Sequence, residues 1–186
     1  MPELPYEIWK DRINNEINIL KNSNLVEKDS ITWSESTIEF WINIKALGFI
    51  QDQNKEGIVL VPKNFHRIFL KLNRYFPYPG GIEFTWYSNI FHPNIHPIDI
   101  PNLKESGTGY ICLNVLKKWS RLSDLETTIK ALKNLVENPN PDDPLNYDLC
   151  LRAAEYFKEH PIEVLKETYM DDNRDKDDDD IIILDD

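Results

Sequence analysis

From Ile38 to Lys45 the chain alternates, with Ile38, Phe40, Ile42 and Ile44 separated by Glu39, Trp41, Asn43 and Lys45. A period of two predicts a strand that buries one face. Such a strand needs paired neighbours and something to cover its apolar side. Ile31 and Trp33 precede it, and Ile68, Leu70 and Leu72 repeat the alternation within residues 65–73. Residues 82–87 (IEFTWY) predict a further strand, and residues 58–61 a short strand or an extended lead-in. The polar turn QDQNKEG at 51–57 is short. Adjacent strands joined by short turns predict an antiparallel four-stranded meander.

The cover is helical. Trp9, Ile13, Ile17 and Leu20 form one stripe within residues 5–22, with Pro5 in the first turn and Asn22-Ser23-Asn24 as a stop. Leu125, Ile129, Leu132 and Val136 give the clearest stripe, over 124–137. Ser123 is the expected cap there, with Glu126 at capping-box spacing. Leu151, Ala154 and Phe157 mark a third helix, and Ile162, Leu165 and Tyr169 a fourth that starts at Pro161. The fold class is therefore α+β: an N-terminal helix, the meander, then C-terminal helices.

The chain's 186 residues suit one well-packed domain, which we place at 1–170, followed by an acidic disordered tail over 171–186. The formal net charge is −11. The last sixteen residues hold nine Asp against Arg174 and Lys176, a net of −7, which leaves −4 for the body. That balance predicts no nucleic acid or anionic membrane as partner. No apolar run approaches the roughly 20 residues of a membrane span. The start, MPELPYEIWKDRINNE, lacks a basic region and an apolar signal core, so a cytoplasmic location is expected. Cys112 and Cys150 are the two cysteines. They show no metal-ligand spacing, and neither a disulfide framework nor a cofactor is expected.

Residues 91–120 follow no period and are rich in Pro and Gly, which predicts an ordered surface stretch. Within it lies Cys112, flanked by Ile111 and Leu113. Its local sequence fits a buried cysteine. Its setting, after two glycines and a long irregular stretch, fits a displayed nucleophile. His92-Pro93-Asn94 is stiffened by its proline. His92 reads as a structural histidine. Asn94 reads as a turn cap or as an amide donor near an oxyanion. Asp142-Asp143, between Pro141 and Pro144, reads as a solvated acidic turn or as a carboxylate held at the edge of a site.

FHPNI at 91–95, GYICLNVL at 109–116, Trp119-Ser120 and NPNPDDPLN at 138–146 occur in that order. Together with the surrounding helices, over about residues 5–170, they resemble the ubiquitin-conjugating (E2) family. The CLNVL…NPNPDDPLN part is similar to members that serve ubiquitin or NEDD8. The resemblance implies that Cys112 forms a thioester with the modifier. It makes Asn94 a support for the oxyanion or its loop, His92 a shaper of that loop, and Asp143 an orienting group for the incoming lysine. Trp119, Ser120, Arg121 and Leu122 would receive E1 and E3 partners. The implied partners are an E1 activating enzyme, a ubiquitin-like modifier, an E3 ligase and a protein substrate.

The sequence also departs from the family pattern. Eighteen positions separate Asn94 from Cys112, which places an insert at about 96–106. Its tip, NLKES, is polar, and it is expected to tune access to the thiol without supporting the core. Gly80-Gly81 replaces the usual Pro-Pro, and Arg121-Leu122 stands where Pro-Ala is common. In the tail, Ile181, Ile182, Ile183 and Leu184 lie between acidic runs and resemble a SUMO-interacting motif, which adds a strand to a ubiquitin-like sheet. Two other readings remain open: a non-enzymatic E2-like adaptor that binds ubiquitin-like proteins, and a cysteine hydrolase.

Overall fold

In the computed structural model, residues 3–52, 57–78, 80–101, 106–112 and 124–177 are described, with side chains to 169. The N-terminal stripe forms α1 (Tyr6–Asn22), which buries Trp9, Ile13, Ile17 and Leu20. Then come β1 (Thr32–Trp33), β2 (Thr37–Gln51), β3 (Leu60–Asn73) and β4 (Ile82–Trp86). They form one antiparallel sheet in the order β1-β2-β3-β4. The residues at 58–61 belong partly to β3, which starts at Leu60.

Ile38, Phe40, Ile42 and Ile44 are fully buried, as are Ile68, Leu70 and Leu72. Phe40 pairs with Leu70 and Ile42 with Ile68, so their side chains share one face. That face joins the α1 stripe and Leu125, Ile129, Leu132 and Val136 of α2 (Leu125–Glu137) in a single core. Each such side chain contributes about 1.5–3 kcal/mol. Between Lys45 and Gly48 the β2–β3 register shifts. Such an irregularity bends a strand, and beyond it Phe49 joins a second core with Phe91, Leu149, Ala153, Phe157 and Ile162. The last three helices are thus divided between two cores: α2 on the sheet, α3 (Asp148–Glu159) and α4 (Ile162–Asp177) on the second.

Several expectations need correction. Asp124 caps α2: its Oδ1 accepts from Thr127 N–H at 2.6 Å. Glu126 instead pairs with Lys130 at 2.8 Å, and Ser123 lies outside the described residues. Leu151 is 39% exposed. The buried stripe of α3 is Leu149, Cys150, Ala153, Ala154 and Phe157, rotated from the expected one because small Cys and Ala side chains allow close packing. Helix α4 continues to Asp177, so the expected boundary near residue 170 falls inside a helix. Ile181–Leu184 and Trp119–Leu122 lie outside the described residues.

Residues 91–97 are not a surface stretch; all of them are buried. The base of the insert is structural too. Ile98 and Asp99 donate backbone hydrogen bonds to Trp86 and Tyr87, and Trp86 donates to Gly109. Ile100 packs against the second core. Gly109 has φ +71°, and a Cβ there would lie 2.3 Å from Thr85 Cγ2. The insert therefore supports the core at its base, while residues 102–105 of its tip lie outside the description.

One contact had no sequence signal. Glu16 on α1 is buried, and its Oε2 accepts from the backbone N–H of Leu125, the first residue of α2, at 2.9 Å. It satisfies one of the donors that a helix start leaves open and places negative charge at the positive end of the helix. Burial is the main reason why its pKa lies above the usual carboxylate value.

Candidate active site

The site is built on the His92-Pro93-Asn94 turn, which leads from the second core into β5 (Ile95–His96). His92 is 2% exposed. Its Nδ1 accepts from the backbone N–H of Asn94 at 3.0 Å. Its Nε2 lies 2.9 Å from the carbonyl of Leu135 on α2. A carbonyl can only accept, so the ring is neutral with its proton on Nε2. Burial pushes its pKa down to about 3. His92 therefore ties the turn to α2, and neither nitrogen is available as a base.

Asn94 is 3% exposed. Its Nδ2 donates to the carbonyls of Asn140 at 3.0 Å and Asp143 at 2.9 Å. Its Oδ1 accepts from Asn140 N–H at 2.7 Å. Both amide hydrogens thus hold the 138–146 turn, which Leu145 N–H also fastens to Pro93 O at 2.9 Å. On that turn Asp142 and Asp143 are exposed.

The carbonyl of Asn94 accepts from Cys112 N–H at 2.9 Å. Cys112 follows β6 (Tyr110–Ile111), which pairs antiparallel with β5. Its thiol is free and half-buried. Cys150 is fully buried, and its Sγ lies 3.4 Å from the carbonyl of Ile95. The fold thus gathers Cys112, Asn94, His92 and the Asp143 turn around one short ribbon. His96, also buried, stacks on Tyr147 at 3.9 Å and meets Thr108 Oγ1 at 2.8 Å. Sequence reasoning placed no role on Tyr147 or Thr108; their partnership with His96 depends on contacts across the fold. No group of three or more His, Cys, Asp or Glu suited to a metal ion occurs among the described residues.

Residues 62–167 match the family model for ubiquitin-conjugating enzyme. The chain belongs to this family. An E2-20 kDa ubiquitin-conjugating enzyme of Schizosaccharomyces pombe is 29% identical over 154 residues, covering 82% of this chain and 74% of that protein. The NEDD8-conjugating enzyme UBC12 of Saccharomyces cerevisiae is 44% identical over 71 residues, covering 38% of this chain but only 32% of that protein. Among solved structures, the E2 domain of a Toxoplasma gondii ubiquitin conjugating enzyme matches with a TM-score of 0.54 and 20% identity, over 84% of this chain and 92% of that one. That likeness is one of fold, and the fold is that of ubiquitin-conjugating enzymes. No helix among the described residues is long and apolar enough to cross a membrane.

Two buried histidines, His66 on β3 and His92, set a pH limit for this E2 fold. Burial pushes His66 down to about 4 and His92 to about 3. Both values lie below the unfolded value near 6.5. Their neutral forms stabilise the fold fully above about pH 6.5, and that stability is lost as pH falls toward the folded values. Glu16, raised by burial, acts in the opposite direction. Between pH 6.5 and 5 the two histidines alone would lower the urea-unfolding free energy by about 1.4–2.7 kcal/mol per pH unit, one to two protons' worth, and Glu16 reduces that slope, so a net fall smaller than this range is expected. A flat profile over that window would contradict the neutral, buried assignment.

Proposed function

We propose that the chain is an active E2 that carries ubiquitin or a ubiquitin-like protein on Cys112 and passes it to an amine, usually a lysine. The observation that carries this reading is the hydrogen-bonded connection from Cys112 N–H to Asn94, and from Asn94 to Asp143. In loading, the Cys112 thiolate attacks the E1-bound thioester. A new C–S bond forms and the E1 thiolate leaves. In transfer, a lysine amine attacks the same carbonyl, the C–N bond forms, and the Cys112 thiolate leaves. Asp143 is suited to orient the amine and receive its proton. Positioning contributes most of the rate in this scheme, and Asn94 contributes by fixing the turn that bears Asp143. Trp119, Ser120, Arg121 and Leu122 would receive the E1 and E3 partners. Ile181–Leu184 would offer a weak strand to the modifier.

A cysteine hydrolase needs a base to activate its thiol, and both nitrogens of His92 are already engaged. An adaptor needs no accessible thiol, whereas Cys112 is free and half-buried. Incubation with E1, ATP and a panel of modifiers tests the reading. We expect a thiol-labile adduct with one modifier class, ubiquitin or NEDD8-like. Binding without an adduct would establish the adaptor instead.

A further inference from the structure

His96 is fully buried, so its ring cannot meet an incoming amine. Its Nδ1 lies 2.8 Å from the hydroxyl of Thr108, and its ring stacks on that of Tyr147, with centroids 3.9 Å apart and planes 3° apart. Thr108 is exposed at the base of the insert. Its hydroxyl also accepts from the backbone N–H of Tyr110 at 3.3 Å. Tyr110 opens β6, pairs with His96, and stands two residues before Cys112. One contact of His96 therefore grips the strand that presents the thiol.

The other contact grips the exit of the Asp143 turn. Tyr147 is half-buried and directly precedes α3. Its N–H donates to the carbonyl of Leu145 at 2.9 Å, and Leu145 N–H donates to Pro93 O at 2.9 Å. Asn94 holds the same turn at Asn140 and Asp143. Three residues after Tyr147, and so on the same side of the helix, Cys150 Sγ meets the carbonyl of Ile95. Ile95 and His96, the two residues of β5, thus each take a side chain from the start of α3. An aromatic pair has a preferred geometry and contributes beyond the area it buries.

We infer that His96 is a positioning residue for transfer: held between Thr108 and Tyr147, it fixes the exit of the Asp143 turn against the strand that carries Cys112. This role rests on the acyl-transfer reading above. Asn94 secures the middle of the turn and His96 its end, so Asp143 is set relative to the thiol by two separate ties. Through Thr108 the base of the insert belongs to the same brace, which gives the insert a part in setting the geometry of the site. Loading needs only the thiol, so loss of the brace should appear in discharge.

The test uses the full chain charged with ubiquitin or with NEDD8, whichever loads, and follows single-turnover discharge to free lysine beside the rate of loading by E1. Tyr147→Ala removes the stacked ring and should discharge about tenfold slower, with loading unchanged. Tyr147→Phe keeps an aromatic ring there and should restore discharge to within about twofold of the unaltered chain. In an Asp143→Ala background, Tyr147→Ala should cost little more, since the turn then has no carboxylate to place. Thr108→Val removes the hydroxyl at an exposed position, so it should fold, and it should discharge about threefold slower. Unaltered discharge in Thr108→Val, or in a folded Tyr147→Ala, would overturn the role and leave the E2 reading intact. So would equal losses in loading and discharge, or losses additive with Asp143→Ala, which mark a residue that only supports the fold. No loading of the unaltered chain with either modifier would overturn both readings.

Discussion

Cys112→Ala should abolish the thiol-labile adduct completely, while Cys112→Ser should replace it with a more stable oxyester or give none. An alanine carries no nucleophile, and the alternative thiol is poorly placed. Cys150 is fully buried in α3 with its Sγ against the carbonyl of Ile95. Cys150→Ala should therefore load to the same extent as the unaltered chain, provided that the protein remains folded. The readout is gel mobility after E1, ATP and modifier, with and without reducing agent. Full labile loading of Cys112→Ala would refute the assignment.

The second large effect belongs to Asn94. Removing its amide breaks the contacts to Asn140 and Asp143 and leaves Asn140 N–H without its acceptor. A misplacement of about 1 Å can lower a rate about 10²-fold, and that is the loss expected for Asn94→Ala in discharge to lysine. Loading by E1 should change far less, because the thiol is untouched. If Asn94 acts through the turn, Asn94→Ala and Asp143→Ala should be strongly non-additive: the double variant should be little worse than the poorer single one. Additive losses would point to separate roles, including an oxyanion donor. Discharge at the unaltered rate in Asn94→Ala would remove the residue from the mechanism.

The sheet and the α1 and α2 stripes were legible because their periodicity is local. Ile38 to Ile44 and Leu125 to Val136 record in sequence which face is buried. The burial of 91–97 was not legible. Its polar residues are compatible with the interior only because Leu135, Asn140, Asp143 and Thr108 supply hydrogen bonds, and most of these partners lie more than forty positions away. Surface placement is the reasonable expectation for a Pro-rich segment whose partners are unseen. The same applies to the insert, where a polar tip concealed a base anchored by Ile98, Asp99 and Ile100. Leu151 misled because hydrophobicity alone does not identify the buried stripe when Cys150 and Ala153 pack closest.

The Glu16–Leu125 contact has a consequence for the birth of the chain. Helix α1 leaves the ribosome before the elements it packs against, and its carboxylate meets a partner 109 positions later. Trp9 likewise donates to the carbonyl of Asn73, 64 positions on. Until Asn73 has emerged, α1 presents its apolar stripe with neither anchor complete, and until Leu125 has emerged the Glu16 anchor is still missing. Contacts of such sequence separation slow folding, and exposed apolar surface in the interim invites chaperones. The meander can pair as it is made, whereas the first helix must wait for the second.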